Sequence, residues 1–222
     1  MRTVAIAEDQ ALFRKAMVAL INTFDNYHIV EEADSGKALI DKLKNNLLPD
    51  IVLLDLRMPE LNGIQTTEYL RKHNKDIKII VISAHDDPDI IVHMYEMGVN
   101  AYLDKNADPE EVHKALNQVY DYGLYIGEQT RAAMSELSGS SNPHDFRLGR
   151  ASRLSDREIE VLQLLCKQYN NNEIASKLCI SKRTVDGYRC KLLDKTGSKN
   201  TVGLVLFAVK NKLLNHAQLR IS

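Results

Sequence analysis

Short apolar runs alternate with stretches of helical periodicity over the first 120 residues of the chain. The apolar runs predict five strands, at residues 3–7, 28–33, 51–54, 78–82 and 101–103. Between them, apolar residues recur every three or four positions, as on one face of an amphipathic helix. Alternating strands and helices are typical of a parallel sheet covered by helices on both faces. We therefore expect an α/β fold with a five-stranded, doubly wound parallel sheet.

The C-terminal part of the chain shows helical periodicity without strand-like runs. Four helices are predicted, starting after Ser155 and at residues 173–178, 182–195 and 201–212. Ser155 is the expected N-cap of the first helix, and Glu158 completes its capping box. A three-residue turn, Cys179-Ile-Ser181, joins the second helix to the longer third one. This is the helix-turn-helix pattern, so an all-α, four-helix domain is expected here.

The composition of the segment between these two parts predicts a linker. Residues 128–137 have the pattern of a short helix, and residues 138–152 are polar and rich in Ser and other helix breakers. Such a composition predicts a flexible tether that few contacts cross. The predicted division is a first domain at 1–122, a linker at 123–152 and a second domain at 153–222.

The charge distribution separates the same two parts. The whole chain of 222 residues carries a net charge of -1, but residues 151–222 hold 13 Lys+Arg against 6 Asp+Glu. The preceding 150 residues hold 16 against 24, so a segment of charge -8 is joined to one of +7. A polyanionic partner is therefore expected for the C-terminal part alone.

Composition limits the compartment and the class of protein. The hydrophobic fraction of 44% and the charged fraction of 27% are typical of a soluble globular protein. No apolar run approaches the roughly 20 residues of a membrane span, and the N-terminus lacks the features of a secretory signal. Three cysteines without CxxC spacing indicate neither a disulfide framework nor a zinc site. We expect a cytoplasmic protein with no membrane partner.

Polar side chains follow four of the predicted strands. Glu8 and Asp9 follow the first strand, Asp55 the third, Ser83 the fourth and Lys105 the fifth. Because carboxyl ends of parallel strands share one edge of a sheet, these groups should converge there. Crowded carboxylates repel one another unless a cation lies between them, and oxygen ligands suit Mg²⁺. The set is suited to phosphoryl transfer, with Asp55 as nucleophile and Lys105 and Ser83 binding the phosphate.

Each of these residues also has a purely structural interpretation. Asp55 could cap the helix that follows it, Ser83 is a common capping residue, and a single Lys105 is most often a solvated surface residue. A small Mg²⁺-dependent phosphotransferase with an aspartyl-phosphate intermediate is the enzymatic alternative. The presence of Arg57, rather than a second carboxylate two residues after Asp55, argues against that enzyme.

Basic residues are concentrated on the predicted third helix of the C-terminal domain and just after it. The candidate phosphate contacts are Lys182, Arg183, Arg189, Lys191, Lys195 and Lys199. A helix rich in Lys and Arg can enter the DNA major groove and neutralise phosphates there. The alternatives are that these charges form an ordinary solvated face, or that the helices bind a protein instead of DNA.

Residues 3–120 resemble a response-regulator receiver domain, which has a flavodoxin-like fold. The resemblance rests on Glu8-Asp9, Asp55-Leu-Arg-Met-Pro59 with Gly63, Ser83-Ala84 and Tyr102-Leu-Asp-Lys105. It implies that Mg²⁺ is bound by Glu8, Asp9, Asp55 and the backbone carbonyl of Arg57. It also implies that a sensor histidine kinase phosphorylates Asp55, and that Ser83 and Tyr102 form a switch pair in which Tyr102 rotates into the space that Ser83 vacates. Asn106 departs from the family, since many receivers carry proline after the lysine.

The C-terminal domain is similar to the LuxR-type helix-turn-helix of the NarL/FixJ regulators. The matching residues are Leu154-Ser-Asp-Arg-Glu158, Glu173-Ile-Ala-Ser-Lys-Leu178, Ser181 with Thr184-Val185, and the tail at 197–214. Thr184 is also expected among the DNA contacts. In that family the base-facing positions fall on Asp186, Gly187 and Cys190. The resemblance implies a promoter-binding response regulator, not an enzyme, that forms a homodimer when phosphorylated or bound to DNA. Its last helix would form the dimer contact, although the apolar residues of that helix could equally be core.

Overall fold

The computed structural model describes residues 1–45, 47–74, 76–140, 154–211 and 213. Within these ranges the N-terminal part contains five strands, each followed by a helix. The strands are β1 (Arg2–Ala7), β2 (Tyr27–Ala33), β3 (Ile51–Leu54), β4 (Lys78–Ser83) and β5 (Ala101–Asp104). The helices are α1 (Ala11–Asn22), α2 (Gly36–Asn45), α3 (Gly63–His73), α4 (Pro88–Met97) and α5 (Pro109–Tyr122).

The strands form one parallel sheet in the order β2-β1-β3-β4-β5, which confirms the doubly wound fold. β3 lies at its centre, and all four of its residues are buried, as its uninterrupted apolar sequence predicts. In the register of the sheet, Ala7 pairs with Leu54. The residues that follow these two, Glu8 and Asp55, therefore emerge side by side at the carboxyl edge.

Two apolar layers cover the two faces of the sheet. Because successive side chains of a strand point to opposite faces, Val4 and Ile6 belong to one layer and Ala5 and Ala7 to the other. The first layer packs on α1 and α5, through residues such as Ile21. The second packs on α2, α3 and α4 and continues into the helices of the C-terminal domain.

Five further helices follow in the described residues. They are α6 (Glu128–Ser140), α7 (Asp156–Cys166), α8 (Asn171–Leu178), α9 (Lys182–Thr196) and α10 (Thr201–Lys210). The predicted capping box of α7 is present, since Ser155 accepts from the Glu158 N–H and Glu158 accepts from the Ser155 N–H. α8 begins two residues earlier than predicted because Asn170 caps it and forms a second capping box with Glu173.

The segment predicted as a linker is more structured than expected. α6 reaches Ser140 and packs on α4, burying Thr130, Ala133 and Met134. α10 also packs on α4, where the side-chain amide of Asn200 donates to the carbonyl of Gly98 at 2.6 Å. The expectation that few contacts join the two parts was therefore wrong, since apolar residues of α6 and α10 find a common partner in α4. Most of the expected tether, residues 141–152, lies outside the described residues.

We predict that Glu158→Ala destabilises the C-terminal domain. The Glu158 carboxylate is 3% exposed, caps α7 and accepts a hydrogen bond from Lys195 at 2.8 Å. Its loss should lower the free energy of unfolding by about 1–2 kcal/mol, measured by urea denaturation. Glu160→Ala, which removes an exposed ion pair with Arg157, is the control and should change it by less than about 0.5 kcal/mol.

The same variant has an expected pH dependence. Burial raises the pKa of Glu158, but hydrogen bonds from Lys195 and Ser155 outweigh burial and hold this pKa below the usual 4.5. A lowered pKa in the folded state means that the carboxylate stabilises the fold above pH 4.5 and loses this effect as the pH falls through the folded-state pKa. The stability difference between the parent chain and Glu158→Ala should therefore shrink in acid. An equal difference across this pH range would contradict the assignment.

Candidate functional site

Three carboxylates meet at the carboxyl edge of the sheet, as predicted. Oxygens of Glu8, Asp9 and Asp55 all lie within 4.8 Å of one another. Glu8 and Asp55 are buried, whereas Asp9 is exposed. Burial raises the pKa of Glu8, and the neighbouring Asp55 carboxylate raises it further. The site thus concentrates negative charge where little water can screen it.

Lys105 supplies a compensating charge from the loop after β5. Its ammonium lies 2.8 Å from Glu8 Oε2 and 3.0 Å from Asp55 Oδ2. Burial lowers the pKa of Lys105, but the hydrogen bonds to both carboxylates outweigh this effect and the net shift is upward. Lys105 is therefore a charged, largely buried member of the site, and the interpretation as a solvated surface residue was wrong.

The loop between β3 and α3 orients Asp55. Its Oδ1 accepts the main-chain N–H of Leu56 at 2.7 Å, which leaves Oδ2 facing Lys105. Asn62 is the N-cap of α3, so Asp55 is not a helix cap. Gly63 donates its N–H to the Leu56 carbonyl at 2.9 Å, and a Cβ on Gly63 would lie 2.8 Å from Leu56 Cα. A glycine is required there because the start of α3 presses against the backbone of Asp55 and Leu56.

The carboxylates have the donor atoms and spacing for a magnesium ion. All are hard oxygen ligands, and a divalent cation among them would relieve the repulsion that raises the pKa of Glu8. Asp9 also lines an open cleft of about 580 Å³ together with Arg57 and His85. The cleft provides room for further ligands beside the carboxylates. Arg57, whose backbone carbonyl was predicted as a metal ligand, is thus beside the cluster.

The predicted switch residues are close together. Ser83 is buried at the end of β4, and its hydroxyl accepts the N–H of His85 at 3.3 Å. The Tyr102 hydroxyl donates to the carbonyl of the same His85 at 2.9 Å. Asp87 caps α4, so Ser83 is not a helix cap. Tyr102 is already buried in this structure, with 1% of its surface exposed. A switch at this position therefore does not need the ring to move inward from solvent.

Tyr95 extends these contacts, and the sequence analysis missed it. The buried Tyr95 hydroxyl accepts the main-chain N–H of Tyr102 at 3.1 Å and donates to the Tyr125 carbonyl at 3.0 Å. It also lies 3.2 Å from the Thr130 hydroxyl of α6. Because its single proton is directed to Tyr125, Thr130 is the donor in that pair. A tyrosine within an apolar helix face carries no sequence signal that distinguishes it from an ordinary core residue.

The loop that carries Lys105 is stabilised without the family's proline. The Asn106 N–H donates to Asp104 Oδ1 at 2.6 Å, a hydrogen bond that proline cannot make. The Lys105 N–H donates to the Ser83 carbonyl at 3.0 Å. These bonds hold Lys105 at the site in place of a rigid ring.

α9 carries most of the candidate DNA contacts on one exposed surface. Ser181 caps it, and Val185 and Leu192 are buried on its inner side, as predicted. A Cβ on Gly187 would meet nothing within 4 Å, so packing within the chain does not demand glycine there. The predicted contacts that are exposed are Lys182, Arg183, Thr184, Asp186, Gly187, Cys190, Lys191 and Lys199, together with Lys195.

Two of the predicted basic contacts, Lys195 and Arg189, are bonded to other side chains of the domain. Lys195 forms the ion pair with Glu158. Arg189 is half-buried and donates to Asn171 Oδ1 at 2.6 Å and to the Thr201 hydroxyl at 2.7 Å. Arg189 thereby ties α9 to the beginnings of α8 and α10. Asn171 was not predicted as a functional residue, because asparagine before a helix usually indicates only a cap.

In the part of the chain that the structure describes, no helix is both long enough and apolar enough to cross a membrane.

Family models match both parts of the chain. The response regulator receiver domain matches residues 4–117, and the luxR family of bacterial regulatory proteins matches residues 152–208. The first match contains the carboxylate cluster and Lys105, and the second contains α7, α8 and α9. The two models therefore fall on the two regions whose chemistry is described above.

Similar proteins align with this chain over nearly their whole length. The oxygen regulatory protein NreC of Staphylococcus carnosus is 31% identical over 220 residues, which cover 96% of this chain and 99% of NreC. The response regulator GacA of Pseudomonas aeruginosa is 29% identical over 214 residues, covering 96% and 98%. The response regulator RcsB in its DNA complex has the same fold, with a TM-score of 0.58, 23% identity and coverage of 94% and 98%. The chain belongs to the NarL/FixJ family of response regulators, in which a receiver domain is joined to a LuxR-type DNA-binding domain.

Proposed function

We propose that Asp55 is the phosphoacceptor of this response regulator and that a sensor histidine kinase is the donor. The observation that carries the proposal is the contact of the Lys105 ammonium with both Glu8 and Asp55. A cation held there can follow the negative charge from the free carboxylate to an acyl phosphate. An ion pair with a purely structural role would not need two buried carboxylates beside an open cleft.

In the proposed reaction an oxygen of Asp55 attacks the phosphorus of a phosphohistidine. A P–O bond forms, the P–N bond breaks, and the imidazole leaves with the electron pair of that bond. Lys105 pairs with the transferred group, and the Ser83 hydroxyl donates a hydrogen bond to it. Glu8, Asp9, Asp55 and the Arg57 carbonyl would hold Mg²⁺, which when bound neutralises charge on the phosphoryl oxygens.

The output is regulated binding to promoter DNA. Its support is the +7 charge of the C-terminal part and the row of exposed basic residues on α9. The open surface at Gly187 would let the helix approach DNA closely. We also propose the division into a receiver at 1–122, a linker at 123–152 and a DNA-binding domain at 153–222, which the two separate family matches, at 4–117 and 152–208, support. The three cysteines of the chain are free, as is usual in the reducing cytoplasm, and we expect this DNA-binding regulator there.

Homodimerisation through α10 would require a rearrangement. Apolar residues of α10, including Val202, Val205 and Leu206, are buried against neighbouring helices in this structure. α4, next to the phosphorylation site, is one of those neighbours, and Asn200 is hydrogen-bonded to its C-cap Gly98. Phosphorylation would therefore favour the dimer by weakening the contact between α4 and α10.

Asp55→Asn is expected to abolish phosphorylation, because an amide oxygen is a poor nucleophile. The full chain is incubated with acetyl phosphate and Mg²⁺, and acyl phosphate is read from the mass of the intact protein. The matched control is Asp86→Asn, which removes an exposed carboxylate from the same edge of the sheet and should leave uptake unchanged. Undiminished uptake by a folded Asp55→Asn chain, with circular dichroism as the measure of folding, would refute the assignment.

Asp9→Asn is expected to weaken Mg²⁺ binding at least tenfold, on the order of the loss seen when metal sites are perturbed. Isothermal titration calorimetry is the suitable measurement, since the chain contains no Trp to report binding by fluorescence. Asp86→Asn again serves as the control. Equal Mg²⁺ affinity of Asp9→Asn and the parent chain would remove Asp9 from the ligand set.

Lys191→Ala is expected to reduce the salt dependence of DNA binding. Each lost phosphate contact should lower the slope of log K against log [salt] by about 0.9. Lys72→Ala, which removes an exposed charge from α3, is the control and should leave the slope unchanged. Gel-shift titrations of genomic fragments at several salt concentrations measure the slopes. Binding that does not depend on salt would indicate a protein-binding module instead of a DNA-binding one.

A further inference from the structure

Asn171 connects two residues of the recognition helix α9. Its amide nitrogen donates to Asp186 Oδ1 at 2.5 Å, and its amide oxygen accepts from Arg189 Nη1 at 2.6 Å. Arg189 is anchored in turn by the Thr201 hydroxyl of α10. The four side chains form one hydrogen-bonded row, here called the Asn171 bridge, which runs from α10 to the exposed face of α9.

The orientation of the Asn171 amide follows from chemistry. A guanidinium has only donors, so the atom facing Arg189 must be the amide oxygen. The amide nitrogen then necessarily faces Asp186, whose carboxylate can only accept. The amide of Asn171 therefore has one possible orientation. Its nitrogen cannot turn away from Asp186 unless its oxygen also loses the hydrogen bond from Arg189.

Asp186 is held but still accessible. It lies three residues before Arg189, so both belong to the same side of α9, while Val185 is buried on the other. Within the described residues, Oδ1 is the only side-chain oxygen of Asp186 that accepts a hydrogen bond. Oδ2 remains available as an acceptor on the exposed surface that also carries Lys182 and Cys190.

The bridge also reduces the electrostatic cost of an acid near DNA phosphates. Burial lowers the pKa of Arg189, and the Asp186 carboxylate partly offsets that effect. The Asp186 carboxylate thus stabilises the charged Arg189 guanidinium, and the two opposite charges lie on either side of the Asn171 amide. An isolated acid on the same helix would meet the phosphates without this compensation.

We propose that Asn171 is a positioning residue that presents Asp186 to a cytosine in the major groove. The inference rests on the proposed DNA-binding function and specifies how one base is read. A carboxylate needs a donor on the base edge, and only cytosine N4 and adenine N6 offer one in that groove. Adenine places the acceptor N7 beside its amino group, which repels a carboxylate, whereas cytosine places an apolar C–H there. One position of the bound sequence should therefore prefer cytosine.

The test is the selection of DNA from a pool of duplexes with a randomised central segment. The full chain is used with acetyl phosphate and Mg²⁺, and binding to the selected duplex is compared with duplexes altered at single positions. The parent chain should favour cytosine at one position by about tenfold. Asp186→Ala and Asn171→Ala should each reduce this ratio to about twofold or less, and the double variant should lose no more than either single one.

Two further variants separate positioning from a purely structural role. Asn171→Asp keeps an acceptor for Arg189 but replaces the donor to Asp186, so thermal stability should persist while the cytosine preference is lost. A general loss of affinity from the added charge cancels in the ratio between duplexes. Asn172→Ala makes the same chemical change as Asn171→Ala at the next, exposed position and should leave the preference intact.

Each outcome decides the inference. Loss of the cytosine preference in Asn171→Asp with unchanged melting temperature supports it. A preference that survives in Asp186→Ala or in Asn171→Asp overturns it while DNA binding itself stands. A parent chain that binds DNA but prefers cytosine nowhere also overturns it. Failure of the parent chain to retain any duplex refutes the proposed function, and the inference with it.

Discussion

The ion pair of Lys105 with Glu8 and Asp55 is the interaction on which the rest of the receiver depends. Two carboxylates buried side by side would be strongly destabilising without a partner. The ammonium reaches them only because the sheet register brings the ends of β1, β3 and β5 to one edge. The same arrangement leaves one open side, toward Asp9 and the cleft, where added charge can be accommodated.

Hydrogen bonds lead from the end of β4 beside this site to α6, and helix packing connects α6 to the C-terminal domain. Ser83 and Tyr102 are both bonded to the backbone of His85, and the Tyr102 N–H is bonded to Tyr95. Tyr95 contacts Thr130 on α6, and α6 and α10 both pack on α4. These contacts physically connect the β4–α4 loop to the surface of α4 that α6 and α10 share, and such a connected network can carry energetic coupling between two domains.

Charged residues in the C-terminal domain serve two different purposes. Basic composition and helical spacing identified α9 correctly, and most of its basic residues are exposed. Lys195 and Arg189, however, are bonded to Glu158 and to Asn171 with Thr201. Periodicity cannot separate these cases, because it assigns a face of a helix but not the polar groups that neighbouring helices bring to that face. The contribution of Asn171 is invisible in the sequence for the same reason.

The sequence by itself determined the strands, most helices, the carboxylate cluster and the candidate reading helix. Apolar runs, capping residues and strand-end chemistry are local features, and the parallel topology follows from their alternation. Only the tertiary structure decided that Lys105 bridges Glu8 and Asp55, that Tyr95 links β5 to α6, and that α10 packs on α4. These contacts join residues far apart in the chain, and their formation depends on side-chain packing in three dimensions, which local sequence patterns do not encode.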